Sequence, residues 1–158
     1  VLGFFLYMIA ETSYEQTVVN VLLQGVKVEK LLTKKVYGIG ANKTLKELAD
    51  AFIRLRKETL LVFDGKRYLG LVRVIDLKGI EKEKWAKIKV GRIARRIAPV
   101  KLDAKIDNIF LKMLKYGVDS IPVVKDKRII GVIERETIVK FLRLRQVLGG
   151  LRLRRSLK

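Results

Sequence analysis

Leu60-Leu61-Val62-Phe63-Asp64-Gly65-Lys66-Arg67-Tyr68-Leu69-Gly70-Leu71-Val72-Arg73 has a counterpart of the same pattern 61 residues on, Ile121-Pro122-Val123-Val124-Lys125-Asp126-Lys127-Arg128-Ile129-Ile130-Gly131-Val132-Ile133-Glu134. Each copy holds a short β-type apolar run, a polar turn of four residues (Asp64 to Arg67; Lys125 to Arg128), and a second apolar run with a glycine at the matching place. An apolar run, a turn and a second run of this length predict a β-hairpin. Two hairpins are therefore expected.

Working outward, the copies align without a gap from Val36 and from Ile97. Upstream of the first hairpin, Leu45, Leu48, Ala49, Phe52 and Ile53 recur at helical spacing, with Thr44 and Glu47 placed as a capping box. Ile106, Ile109, Phe110, Met113 and Leu114 stand at the same offsets in the second copy. After each hairpin a further helix is expected, with Asp76 and Thr137 at matching positions near its start, where free backbone N–H groups can meet an anion. Each copy then reads strand, helix, strand, strand, helix. One unit of about 60 residues buries too little of its sheet alone, so two copies packed about a pseudo-twofold axis are the economical arrangement.

The segment from Gly79 to Lys89 connects the copies and holds Trp85; with neither Ser nor Pro, it reads as a connector that packs its aromatic residue on the core. Residues 1–27 form an N-terminal apolar and connecting segment, 28–84 the first motif, 85–148 the second and 149–158 a basic tail. Gly149-Gly150 is read as the end of the last ordered helix. Val1 to Ala10 is about half the length that spans a bilayer. It is either a core-packing helix or the cytoplasmic end of a transmembrane helix.

The chain has no cysteine and no histidine, which excludes thiolate metal sites, disulfides and every mechanism resting on a His base or ligand. Asp103 with Asp107, and Glu134 with Glu136, are carboxylate pairs by sequence, but such pairs are more often solvated faces or caps. No enzyme is expected. Lys and Arg outnumber Asp and Glu 35 to 16, a net charge of +19. That excess fits an anionic partner, an anionic membrane surface or a proteome basic throughout, and the composition also fits a thermophile's charged surface.

The doubled unit, with Ile121-Pro122-Val123-Val124 in one hairpin and Gly70 to Asp76 in the other, resembles the CBS domain family over about residues 28–145. The resemblance implies an α+β fold of two β-α-β-β-α motifs forming one Bateman module. It also implies a regulatory role, AMP, ADP, ATP or S-adenosylmethionine as the ligand, no required cofactor, and pairing into a homodimer. The family's ribose-binding aspartate falls on Asp76, with Arg73 where a hydroxyl residue is usual and able to meet a phosphate. The same resemblance places Glu58, Thr59 and Ile75, with Ala98, Pro99 and Val118, around that cleft. The second cleft would comprise Tyr37, Asp119, Ser120, Glu134 and Thr137. It departs from the pattern, with Thr137 for the aspartate, Glu134 opposing phosphate and Tyr37 in the space of the base, and is expected to be empty or to take something other than a nucleotide.

The flanks (Leu2 to Leu6, Ala10 to Gln16, Leu23 to Val28, and Leu142 to Gly149) resemble the surroundings of the C-terminal CBS pair in site-two-protease-type membrane zinc metallopeptidases. That implies a place at the cytoplasmic face of a membrane, with the catalytic helix upstream and outside this chain. Three functions compete: a sensor acting on an upstream membrane protein or catalytic domain, a nucleic-acid or anionic-surface binder using Arg92, Arg95, Arg96 and Arg152, Arg154, Arg155, and a structural dimerisation module with decayed clefts.

Overall fold

The computed structural model describes residues 21–156, with side chains through Gly149. The reading of Val1 to Ala10 lies outside the described residues. Two three-stranded sheets carry the fold. In the first motif, β1 (Gly38–Gly40) runs parallel to β2 (Thr59–Asp64), which pairs antiparallel with β3 (Arg67–Arg73). The second motif repeats this with β4 (Val100–Lys101), β5 (Ser120–Lys125) and β6 (Arg128–Glu134). The turns are tight; Gly65, Asp126 and Lys127 all have positive φ, and the last two form the left-handed pair that suits a two-residue hairpin.

Between β1 and β2 lies helix α2 (Leu45–Leu55), and between β4 and β5 lies α4 (Ile106–Tyr116). The capping box at the start of α2 forms as read: Glu47 N–H donates to the Thr44 hydroxyl, and Thr44 N–H donates to the Glu47 carboxylate at 2.8 Å. α2 buries Leu45, Leu48, Ala51 and Phe52. Ile53 is 78% exposed, which corrects its place in the predicted face: the buried arc turns toward Ala51, leaving Ile53 beyond its edge. α4 buries Ile106, Ile109, Phe110 and Met113, while Leu114 is half-buried.

The expected closing helices differ from each other. After β3 the chain makes only a 3-10 turn, Val74–Leu77, and a second at Lys82–Lys84. Lys78 and Ile80 N–H groups bond three residues back, to Ile75 and Leu77, and Gly79 follows at once, so no α-helix propagates. After β6, helix α5 (Arg135–Ser156) runs 22 residues. It passes through Gly149-Gly150, correcting the expected stop, because glycine inside a helix costs about 1 kcal/mol against alanine without forbidding the conformation.

The two repeats exchange their leading segments. Thr33 and Val132 exchange backbone hydrogen bonds at 2.9 Å each, linking the run before β1 to β6 of the other motif. Leu71 and Arg95 do the same at 2.9 and 2.8 Å, linking the run before β4 to β3. Helix α1 (Val28–Leu31) accordingly packs into the core of the second motif with Ile106, Phe110 and Ile133, and α3 (Val90–Ile93) into that of the first with Leu45, Leu48 and Val72. Trp85 joins the latter core, its indole N–H donating to Ile80 O at 3.0 Å. A division at residue 84 therefore follows the repeat while the packing crosses it. Gly70 and Gly131 make the exchange feasible, since a Cβ at Gly70 would strike the Arg95 carbonyl oxygen and one at Gly131 that of Thr33.

Candidate functional site

Sequence order brings Arg73 and Asp76 three residues apart at the point where β3 turns into 3-10 helix. Asp76 accepts from Arg73 backbone N–H at 2.9 Å through one carboxylate oxygen, and from the guanidinium Nε and Nη2 at 3.1 and 2.7 Å through the other. Both side chains are largely shielded from solvent. The Arg73 guanidinium also reaches the second motif, its Nη1 donating to Tyr116 O at 3.4 Å. Arg95 Nη1 donates to the same carbonyl at 2.8 Å. Two guanidinium groups thus sit at the C-terminal end of α4, where free carbonyls carry partial negative charge.

Of the other residues assigned to this cleft, Val118 is 1% exposed, Ala98 is exposed and Pro99 half-buried. Lys112 Nζ donates to Ala98 O at 3.0 Å, and burial lowers the Lys112 pKa. Ile75 is 59% exposed. A Cβ at Gly117 would stand 2.9 Å from Arg73 Nη1, so the guanidinium lies directly over a position with no side chain.

Across the pseudo-twofold axis, Glu134 occupies the place of Arg73, and the positive partner comes from the other motif: Lys57 Nζ stands 3.6 Å from the Glu134 carboxylate. Lys57 also lies over the Tyr37 ring at 4.7 Å. A recess of about 350 Å³ opens here, bordered by Arg56, Lys57, Glu58, Asp119, Glu134 and Glu136 among others. The adjoining inner space beside Tyr37, Thr59 and Ser120 is only about 30 Å³. That is room for about one water and far too little for a purine ring. Glu58 and Thr59, assigned by resemblance to the Asp76 cleft, border these second-cleft spaces. The sequence reading did not single out Arg56 and Lys57. The constant offset of 61 residues would have found Lys57 as the counterpart of Val118.

Residues 90–144 match the CBS domain family model. The CBS domain of a bacterial CNNM/CorC family Mg2+ transporter, solved in complex with ATP, superposes with a TM-score of 0.68 at 17% identity, covering 82% of this chain and 95% of that one. The fold is that of a tandem CBS pair. CBS domains are generally regulatory, ligand-binding modules and not catalysts. An uncharacterized protein of Methanocaldococcus jannaschii is 28% identical to this chain over 120 residues, 73% of this chain and 56% of that protein. Homoserine O-acetyltransferase of Methanococcus vannielii is 28% identical over 116 residues, 70% of this chain and 24% of that enzyme. The chain thus spans a little over half of the first relative and about a quarter of the second. No described helix is long and apolar enough to cross a membrane.

Proposed function

We propose that this CBS pair is a regulatory module that binds an adenosine ligand carrying phosphate in the Asp76 cleft and transmits its occupancy to a larger protein. The observation that carries the reading is the Arg73–Asp76 pair, joined at 2.7 Å within the first motif at the point where Arg73 also reaches Tyr116 of the second. Asp76 offers a carboxylate for ribose hydroxyls, while Arg73 offers a guanidinium for phosphate. The ligand competes with the ion pair: the ribose takes the carboxylate oxygen that the guanidinium now holds, and the phosphate receives the released guanidinium. Because Arg73 also spans to Tyr116, this exchange loosens one link between the motifs and gives the two states the different ligand affinities that regulation requires.

The second cleft is proposed not to take a nucleotide, since Tyr37 and Lys57 occupy its inner space and Glu134 repels phosphate. The module pairs with a second copy and acts on an upstream protein at the cytoplasmic face of a membrane; the flanking resemblance to site-two-protease-type metallopeptidases supports that parent. A structural dimerisation role is the second reading, favoured by the completeness with which Arg73 and Asp76 satisfy each other.

Calorimetric titration with AMP, ADP, ATP and S-adenosylmethionine tests the proposal. One ligand per chain is expected, bound at least about 30-fold more weakly by Asp76→Ala, because a charge-assisted hydrogen bond contributes about 2 kcal/mol. Absence of binding by all four would leave the structural reading.

A further inference from the structure

Helix α5 changes its apolar face part-way along its length. Ile138, Val139 and Leu142 are buried against the body of the second motif. Beyond Leu142 the helix leaves that body: Arg143 to Leu148 are all exposed, including Leu144 at 55%, Val147 at 60% and Leu148 at 57%. At about 100° per residue, Leu144, Val147 and Leu148 form one stripe lying roughly opposite the buried face. The body of the motif therefore does not reach it.

Arg143 and Arg145 flank Leu144, about 100° to either side. Arg145 is anchored, its Nη1 donating to Leu22 O at 3.0 Å and its guanidinium lying 5.4 Å from the Phe141 ring centre. Charge is one-sided along the whole segment: from Thr137 to Lys158 the sequence has seven Lys and Arg and no Asp or Glu. The helix from Arg143 to Ser156 is about 21 Å long. A helix of that length, exposed from Arg143 to Leu148 and with Gly149-Gly150 inside it, is marginal in water.

We infer that the projecting half of α5 docks the module on an anionic lipid surface, its Leu144, Val147 and Leu148 stripe entering the headgroup boundary and its arginines meeting lipid phosphates and carboxylates. An apolar stripe bordered by basic residues with no acid is the pattern that such surfaces select. A nucleic acid would use the arginines but gain little from the three exposed aliphatic side chains, whose burial is what a bilayer adds. The inference is independent of the Asp76 cleft.

The test is co-sedimentation of the full chain with vesicles of phosphatidylcholine alone and of phosphatidylcholine with about 30% phosphatidylserine. The anionic vesicles should bind at least about tenfold more tightly, and the difference should shrink as salt rises to about 0.5 M. Leu144→Gln with Leu148→Gln keeps every charge and touches only exposed positions; it should weaken anionic-vesicle binding at least about tenfold with an unchanged melting temperature. Arg143→Gln with Arg154→Gln should remove most of the preference for anionic lipid. Equal binding to both vesicles, or no binding, overturns the inference. So does an unchanged affinity in the Leu variant, which would mark the segment as a general polyanion binder. If the Leu variant instead abolishes self-association of a chain that ignores vesicles, the stripe is a contact between copies and the inference fails.

Discussion

Replacing Gly70 by Ala tests the segment exchange that joins the repeats. The added methyl group would collide with the Arg95 carbonyl oxygen, and the strands can separate only by giving up the two Leu71–Arg95 hydrogen bonds at 2.9 and 2.8 Å. Each bond contributes about 1 kcal/mol net, and forced overpacking adds about 1 kcal/mol or more. The expected loss is about 3 kcal/mol. For a chain of 158 residues that lowers the melting temperature by about 6–12 °C. Urea and thermal unfolding followed by circular dichroism would measure it, with Gly131→Ala as the pseudo-symmetric repeat of the experiment. Gly79→Ala is the control, since a Cβ there meets nothing within 4 Å, and it should change stability by less than about 0.5 kcal/mol. If Gly70→Ala and Gly79→Ala behave alike, the tight approach of the exchanged segment is not what holds the motifs together.

Phe110→Ala, at a position 1% exposed in the second core, should cost about 3–5 kcal/mol in urea unfolding. Thr44→Ala should cost about 1 kcal/mol by removing the α2 cap. The Thr44 backbone N–H holds the Glu47 pKa below the usual glutamate range, so the stabilisation is present above about pH 4.3 and is lost as pH falls through the lower folded-state value. Glu47→Gln should therefore flatten the acid limb of the stability profile, read as urea midpoints between about pH 3 and 6. Arg73→Ala should strengthen binding of uncharged adenosine, which no longer competes with a guanidinium for Asp76, and weaken binding of ATP; calorimetry that found both affinities moving the same way would contradict the exchange described for the cleft.

Much of the architecture was legible because its signals are local. Apolar runs on either side of the turns at Gly65 and at Asp126-Lys127 mark the hairpins, and Thr44 with Glu47 marks a helix start within four residues. The exchange of leading segments was not legible, because it rests on isolated bridges between residues far apart in sequence, such as Thr33 with Val132, that leave no periodicity. Asp76 and Arg73 were identifiable as candidates only through the family resemblance. Their mutual ion pair, and the reach of Arg73 to Tyr116, depend on how the motifs pack. The same holds for Ile53, whose helical spacing suits a buried face but whose place beside the sheet leaves it in solvent. The length of α5 was misread because two adjacent glycines signal a helix end more strongly than they enforce one.

The Asp76 cleft is tested most directly by amide chemical shifts in a titration of the 158-residue chain with AMP. The account predicts saturable shifts at Asp76, Ala98, Gly117 and Val118, with Tyr37, Lys57 and Ser120 of the second cleft unmoved. Shifts centred on Tyr37 and Ser120, or a spectrum that AMP leaves unchanged, would contradict it.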